Sequence, residues 1–459
     1  MSDLQSLQKL QYGQIPAPLR VLHVTPSFYP ALEFGGPVAA LYELCLAQLR
    51  AGHQVRVLTS TAGQQLSGGR WSEDFGVPTY YAPVRLPPDL APAMVPELFA
   101  QCRWAQVVHV TGLFSAASVL AMATAQGVEL LARRPRRRLP VVLSPRGALL
   151  PWALGQRGSR VRKERFLAAI APLLRRVSGW HVTSLEEADA VRALLQRLGV
   201  GAPAAIAVVP QGLSSEAERA EALPGRQAGL QAAAGGQSPS CQLVALGRIH
   251  PVKNLELALE ALALLRRGAA PAATLVIAGP VADPAYAAGL RARAEALGLG
   301  GAVAWPGLVR GAAKQRLLAD SAALWLCSHM ESFGNVVVEA LAVGTPVVAT
   351  TTTPWELLEQ AAVGRWVPPS PQALAAATLD LLARQRERAP RQELAARCQA
   401  LARTRFGPEQ SEQQLRQLYL SALKPRGTPP PPLNGPSSGS PLGPEPARAE
   451  PTDGGPECE

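Results

Sequence analysis

Short unbroken apolar runs, each released into a loop and a helix-length segment, recur twice along this chain and restrict it to parallel sheets. The first series opens with Arg20 to Val24 (RVLHV), passes through an apolar-striped helix over Val38 to Leu49 closed by Gly52, and resumes as a strand at Gln54 to Leu58. Strand, helix, strand in that order means parallel pairing. Further strands are expected at Val107 to Val110, Val141 to Leu143, His181 to Thr183 and Ala207 to Val209, with a helix over Leu185 to Leu198. Runs that are continuous rather than alternating place helices on both faces of the sheet. The pattern restarts at Gln242 to Leu246 and continues with strands at Thr274 to Ala278, Val303 to Trp305, Leu324 to Cys327 and Val347 to Ala349. Helices around Leu255 to Arg267, Tyr286 to Leu297, Ala312 to Ala319 and Asn335 to Val343 separate them. Two doubly wound α/β domains are the expected fold class.

A length of 459 residues accommodates two such domains with additions. The division is an extension over 1–19, a first Rossmann-like domain over 20–213, an inter-domain insertion over 214–240, a second Rossmann-like domain over 241–390, C-terminal helices over 391–424 and a tail over 425–459. The insertion is Ala, Gly, Gln and Ser with scattered charges. The tail holds 11 Pro and 6 Gly in 35 residues, a composition that cannot build a core. The last helices are interrupted at Gly407-Pro408 and can cross back to the first domain. Six cysteines, at 45, 102, 241, 327, 398 and 458, are too scattered for a zinc site or a disulfide framework, which points to a reducing compartment. No secretory or membrane-spanning segment is expected. The expected location is cytoplasmic, with peripheral attachment to the cytoplasmic membrane face open.

The formal charge of +11 is concentrated. Between residues 131 and 180, thirteen basic residues face a single acid, Glu164. The patch, over 133–176, can meet an anionic membrane surface, a phosphorylated substrate or nucleic acid, or simply be a solvated face.

Ligands of open parallel sheets bind beyond the carboxyl ends of the strands, so the first places to look are the loops after each strand. After the first strand, Gly35-Gly36 precedes a helix and lets bare backbone approach an anionic or hydroxyl-rich group, or forms only a tight turn. There is no GxGxxG there, which argues against NAD or FAD. After the first strand of the second domain comes LGRIHPVKN, in which Arg248 and Lys253 can neutralise a diphosphate or remain surface cations. His109, at a strand end, can contact an acceptor hydroxyl or a donor sugar, or be a hydrogen-bonded structural histidine. Arg146-Gly147, in SPRGAL, can hold an anionic acceptor, and the segment from Arg157 to Lys163 is expected to be mobile and basic. No H-x-x-H or H-E-x-x-H spacing is present, so no metal is expected.

The sharpest feature is ESFGNVVVEALAVGTP from Glu331 to Pro346. A strand, a glycine loop and an apolar helix follow in turn, leaving the amides of Phe333, Gly334, Asn335 and Val336 free to receive phosphate oxygens. Glu331 and Glu339 are separated by at most about 12 Å if the interval is helical, close to the sugar-to-ribose distance of a nucleotide sugar. Glu339 sits among Val337, Val338, Ala340 and Leu341 and needs partners, which ribose hydroxyls or a neighbouring N–H can supply.

These motifs resemble the retaining GT-B glycosyltransferases with an E-x7-E element, the sucrose synthase and mannosyltransferase-like glycosyltransferase family 4. The resemblance spans about residues 20 to 424. It implies two Rossmann-like domains facing an interdomain cleft. Residue by residue it assigns Arg248 and Lys253 to the donor diphosphate, Glu331 to donor sugar hydroxyls and Glu339 to the ribose. It has Phe333, Gly334 and Asn335 line the donor, His109 contact the transferred sugar and Gly36, beside Gly35, approach the phosphates. SPRGALLPWAL and TPWELLE look more like polysaccharide-assembly members than starch or sucrose enzymes. The common lysine-glycine pair is here Lys253-Asn254.

The implied reaction moves a hexosyl group from GDP-mannose or a UDP-hexose to a glycan or lipid-diphosphate-linked acceptor, in polysaccharide or lipopolysaccharide biosynthesis. The anomeric configuration is retained, and neither a prosthetic group nor a metal takes part. A sugar-nucleotide epimerase or a phosphorylase of the same fold is the enzymatic rival, and a basic nucleic-acid-binding protein the non-enzymatic one. The strand-rim motifs would be unemployed in the latter, which disfavours nucleic acid as a partner.

Overall fold

The computed structural model describes residues 18–61, 68–85, 91–131, 139–155, 159–200, 205–212 and 241–424. The first lobe is an eight-stranded sheet of β1 (Arg20–Val24), β2 (Gln54–Ser60), β3 (Trp71–Ser72), β4 (Thr79–Ala82), β5 (Val107–Thr111), β6 (Val141–Ser144), β7 (Gly179–Val182) and β8 (Ala205–Val208). Its order is β3-β4-β2-β1-β5-β6-β7-β8. Every neighbour pair is parallel except β3 with β4. The second lobe is a parallel six-stranded sheet of β9 (Gln242–Leu246), β10 (Thr274–Ala278), β11 (Val303–Gly307), β12 (Ala323–Leu326), β13 (Val347–Thr350) and β14 (Gly364–Val367). Its order is β11-β10-β9-β12-β13-β14. The two α/β lobes form the expected fold class.

In both sheets the strand order reverses at the first strand, β1 between β2 and β5 and β9 between β10 and β12. Chain leaving such a strand opens a crevice, because successive crossovers depart to opposite sides. The loops after β1 and β9 therefore carry Gly35-Gly36 and Arg248 to Lys253 to the two rims. Each sheet is covered on both faces. Leu22, Val108 and Leu143 enter one core of the first lobe while Val21, Val107 and Val142 enter the other, as period-two strands between helical layers require.

The helix Pro408–Leu423 follows the helix Arg388–Phe406 and packs on the first lobe through fully buried Leu415 and Leu418, joined by Tyr419 and Ala422. Gly407-Pro408 marks the change of lobe: Pro at the first helical position starts a new helix, and Arg388–Phe406 stays on the second lobe through Leu394 and Cys398. His53 Nε2 meets Glu412 at 2.8 Å, fastening the returning helix to the turn before β2.

Several elements depart from expectation. The edge strands β3 and β14, and β4 next to β3, are additional to the expected strands, since WS, TYYA and GRWV are short or broken by Gly and Arg. Helices at Met94–Trp104, Ala116–Leu131, Pro151–Gly155 and Ala171–Leu174 are also additional. The basic stretch expected to be mobile is in part the helix Arg160–Ala169. Its sequence is polar almost all round, yet buried Leu167 and the ring of Phe166, 5.4 Å from Phe114, anchor it to the lobe. Arg133 to Arg138, the insertion over 214–240 and the tail over 425–459 lie outside the described residues.

Candidate functional site

The second-lobe rim is assembled from three loops. Gly247, at φ 157°, ends β9 and leaves room for the Lys253 stem, since a Cβ there would stand 3.2 Å from Lys253 Cε. A 3-10 turn over Pro251–Lys253 follows, capped by His250, whose Nδ1 accepts from the Val252 amide at 3.2 Å. That turn directs Lys253 across to Glu331, with which it forms an ion pair; Ser328 Oγ donates to the same carboxylate oxygen at 2.8 Å. Arg248 is solvent-exposed on the rim.

Gly334 adopts a left-handed conformation, φ 88° and ψ 68°, immediately before the helix Asn335–Ala342. A side chain there would be strained in φ and would crowd Trp355 Nε1 at 3.3 Å, so glycine is needed to start this helix where it does. The turn is nailed down by the Trp355 indole, which donates to the Phe333 carbonyl, and by the packing of Phe333, Trp355 and Phe406 with centroids 5.2 to 5.8 Å apart. The Phe333 ring is thus a core residue, and only its backbone can face a ligand. No side chain caps the helix, whose first-turn amides are left to an anion or water.

Glu339, expected to find ribose hydroxyls or a loop amide, accepts from Lys314 Nζ at 2.8 Å. Lys314 lies on the helix Gly311–Ala319 after β11. Sequence spacing gave no sign of it, because the partners come from separate crossovers. Both side chains keep some solvent exposure, so the carboxylate can take a further partner when a ligand arrives.

The first-lobe rim meets these groups directly. Asn335 Nδ2 donates to the Gly36 carbonyl at 3.2 Å, and a Cβ on Gly35 would stand 3.8 Å from Arg248 Nε. Thr183 Oγ1 donates to the Ser332 carbonyl at 2.8 Å, and a Cβ on Gly147 would stand 2.9 Å from Ser332 Cβ. Trp152 lies 6.0 Å, edge to face, from His250. Gly35, Gly36, Arg248, Lys253, Glu331, Phe333, Gly334, Asn335 and Glu339 are thereby gathered along the two rims of one cleft. Thr183, Ser328, Lys314 and Trp152 complete it without having been singled out as site residues.

His109 is the exception. It is fully buried, its Nδ1 within 2.7 Å of the Tyr419 hydroxyl and its Nε2 3.4 Å from His181 Nδ1. Burial, then the neighbouring His23, His181 and Arg146, hold its pKa well below the ordinary value, so the ring is neutral. The expected acceptor-side contact is corrected: the strand alternation at β5 turns His109 under the sheet toward the helix Pro408–Leu423. Arg146 also turns inward, from a backbone at φ 54°, while Gly147 stays on the cleft.

Among the described residues no cluster of His, Cys, Asp and Glu could hold a metal ion, and no helix is long and apolar enough to cross a membrane.

Residues 35–212 match the family described as glycosyl transferase 4-like domain and residues 237–405 the family glycosyl transferases group 1. The chain belongs to these group 1, GT4-like glycosyltransferases of GT-B fold. Two curated relatives, both named D-inositol 3-phosphate glycosyltransferase, match in part. That of Segniliparus rotundus is 40% identical over 151 residues, 32% of this chain and 32% of the relative. That of Jonesia denitrificans is 42% identical over 112 residues, 23% of this chain and 26% of the relative. The chain thus spans about a third or less of the length of the curated relatives it matches. Among solved structures, Anabaena HepE in complex with UDP-glucose is similar at TM-score 0.63 and 20% identity, covering 88% of this chain and 100% of that one. Sucrose-phosphate synthase from Thermosynechococcus elongatus is similar at TM-score 0.63 and 19% identity, covering 87% and 98%. At these identities the likeness is one of fold.

Proposed function

We propose that this protein is a retaining glycosyltransferase that moves a hexosyl group from a nucleoside-diphosphate sugar to a glycan or lipid-linked acceptor in polysaccharide or lipopolysaccharide assembly. The carrying observation is the convergence of Arg248, the Lys253–Glu331 pair and the uncapped start of the helix Asn335–Ala342 opposite Gly35-Gly36. Two cations and a set of helix N-terminal amides supply positive potential where a departing diphosphate gains charge, which lowers the barrier without a metal. Lys253 would exchange Glu331 for a phosphate oxygen, freeing the carboxylate to accept from sugar hydroxyls. Glu339 would take the ribose through its other carboxylate oxygen, with Lys314 holding the first in place. A donor phosphate oxygen, rather than an enzyme nucleophile, would receive the acceptor proton on the face from which the leaving group departs. The lobes, already touching at Asn335 and Gly36, would exclude water from the transfer.

A UDP-hexose, the kind of donor that HepE holds in its complex with UDP-glucose, is the first candidate to test, beside GDP-mannose. Exposed Arg160, Arg162 and Arg165, with Val161 also 58% exposed, fit peripheral contact with an anionic membrane that presents the acceptor. Calorimetric titration with UDP-glucose, other UDP-hexoses and GDP-mannose, followed by NMR of the product anomer, tests the proposal. Tight binding of one donor and an unchanged anomeric configuration are expected; binding of none, or an inverted product, overturns it.

A further inference from the structure

The turn that carries Lys253 is fixed by a histidine. After β9 the chain presents Arg248 to solvent and then reverses within the turn Pro251–Lys253 to send Lys253 to Glu331. Pro251 opens that turn and has no N–H, so the Val252 amide is the first donor the turn leaves unanswered. The His250 ring answers it: Nδ1 accepts from this amide at 3.2 Å, while the His250 carbonyl accepts from the Lys253 amide at 2.9 Å. Asn254, left-handed at φ 49°, closes the turn by donating to the Pro251 carbonyl at 3.0 Å. The His329 amide donates to the Val252 carbonyl at 2.8 Å and ties the turn to the loop that leads to Glu331. Of these hydrogen bonds, only the one to the His250 ring can be removed by a proton.

An accepting Nδ1 requires a neutral ring with its hydrogen on Nε2; an imidazolium would set N–H against N–H. The charged groups that act on the ring are Arg248 and Lys253 from its own loop and Asp283 from the start of the helix Pro284–Ala296. His329 is exposed to solvent. From the first lobe comes Trp152, an uncharged ring 6.0 Å away and edge to face, on the helix Pro151–Gly155; Lys163, which reaches that helix, donates to the Ala153 carbonyl. Burial, then Arg248, hold the His250 pKa below its ordinary 6.5 against the pull of Asp283, so the cap is intact at neutral pH.

Ser, Thr, Asp and Asn are the commoner caps. An aspartate here would place a carboxylate among cations proposed for a diphosphate and compete with it. A serine would be too short to reach the first lobe. The imidazole supplies an acceptor without a negative charge, together with a ring that meets Trp152 where the lobes face each other.

We propose that His250 is a positioning residue for donor binding: its neutral ring holds Lys253 in register with Glu331 and the uncapped helix start at Asn335, and loses that hold when it is protonated. The proposal rests on the donor-site reading and adds to it an acid-sensitive step in a residue that need not touch the donor.

Isotope-labelled histidine in the ligand-free full chain, read by nitrogen NMR with His250→Asn to assign the signal, shows the tautomer. A ring protonated on Nε2 at about pH 7.5 is expected; a proton on Nδ1 overturns the proposal. Binding of UDP-glucose, or of GDP-mannose if the parent prefers it, is then measured from about pH 7.5 to about pH 5. A nucleotide sugar is the right probe because it has no terminal phosphate to titrate in that range. At about pH 7.5, His250→Ala should weaken binding about fivefold, the loss of one cap, and His250→Asn, whose side-chain oxygen also caps, should recover most of it. Toward about pH 5 the parent should lose several-fold more affinity than His250→Asn, because only the parent's cap takes up a proton. His250→Ala binding as tightly as the parent, His250→Asn recovering nothing, or parallel pH profiles in the parent and His250→Asn overturns the proposal alone. A parent that binds neither nucleotide sugar at any pH overturns the donor reading and the proposal with it, so the two failures are distinguishable.

Discussion

The side-chain amide of Asn335 donates to the main-chain carbonyl of Gly36 across 299 residues of sequence and from one lobe to the other. It joins the first turn of the second-lobe helix proposed to face the donor to the first turn of the first-lobe helix Gly36–Arg50, so the spacing of the rims is set at the place where chemistry is proposed.

Gly36→Val should therefore act as a wedge. A Cβ at position 36 already lies 3.2 Å from Asn335 Nδ2, and two more methyl groups must displace that amide. With the lobes held about 1 Å apart, kcat should fall by roughly 10- to 100-fold. Donor affinity should fall less than kcat, since most of the donor's proposed partners lie on the second lobe and only the Gly36 backbone beside the phosphates is disturbed. Steady-state kinetics together with nucleotide titration check this; an unchanged kcat would mean that the contact is incidental.

Because His109 is buried against Tyr419, replacing it should affect stability more than catalysis. Tyr419→Phe removes the hydroxyl that His109 Nδ1 meets at 2.7 Å and Gln48 Nε2 at 3.2 Å, and should cost about 1–3 kcal/mol. His109→Asn should lower the urea midpoint similarly, while kcat/KM per folded molecule stays within about threefold of the parent. A selective rise in acceptor KM would return His109 to the cleft.

Acid should loosen the first lobe through the same cluster. Burial, partly opposed by the hydrogen bond that the ring donates to Gln48 Oε1, brings the pKa of His23 down to about 4 from an ordinary 6.5. Above pH 6.5 both folded and unfolded chains hold the ring neutral, and its contribution to stability is complete. As pH falls from about 6.5 toward 4 only the unfolded chain takes up the proton, so stability is lost across that window, by about 3 kcal/mol for this one ring. Urea unfolding at about pH 7.5 and about pH 4.5 should show the loss, and His23→Gln should reduce its pH dependence by close to one proton. An identical pH slope in the two proteins would show that the ring titrates normally.

How far the sequence could lead is visible in the two glutamates. Glu331 and Glu339 stand in one short motif whose glycine, helix start and apolar run are local, so their placement on the rim follows from spacing alone. Lys314, the partner of Glu339, comes from a different crossover, and only the packing of the helix Gly311–Ala319 against the helix Asn335–Ala342 brings the two together. The same holds for His109: its position at a strand end was legible, but which face it occupies depends on the helix Pro408–Leu423 returning some 300 residues later. Edge strands such as β3 were hidden because two residues carry no periodicity. Gly35-Gly36 and Gly334 were legible because a backbone requirement is written in the residue itself.

Lys314→Ala should separate positioning from binding at Glu339. The pair is partly solvated, so its loss should cost little stability, about 0–1 kcal/mol. If the lysine holds the carboxylate ready for a ribose, nucleotide affinity should weaken by a few-fold to tenfold, whereas Glu339→Ala should weaken it by a hundredfold or more, the cost of losing two charge-assisted hydrogen bonds. Equal losses in both variants would make Lys314 a direct ligand. Tighter binding without the lysine would mean that the ion pair competes with the nucleotide.

Truncation should have opposite outcomes on either side of the last helix. Ending the chain after Lys424 preserves every described contact of the helix Pro408–Leu423, and melting temperature and turnover should match the full chain. Ending it after Gly407 uncovers the face on which Leu415, Leu418, Tyr419 and Ala422 lie. It also strips His109 of the Tyr419 hydroxyl and His53 of Glu412. Each fully buried leucine contributes about 1.5–3 kcal/mol by burial. The total therefore rivals the roughly 5–15 kcal/mol that holds a typical domain together. The shorter chain should aggregate or bind an apolar dye through its first lobe, while the second lobe, whose own core includes Phe406 and Leu394, should still bind nucleotide. Limited proteolysis that yields a stable second lobe and a degraded first one would show this directly. A first lobe that survives the shorter truncation unharmed would mean that the returning helix is a passive strap and that its side chains do not complete the core.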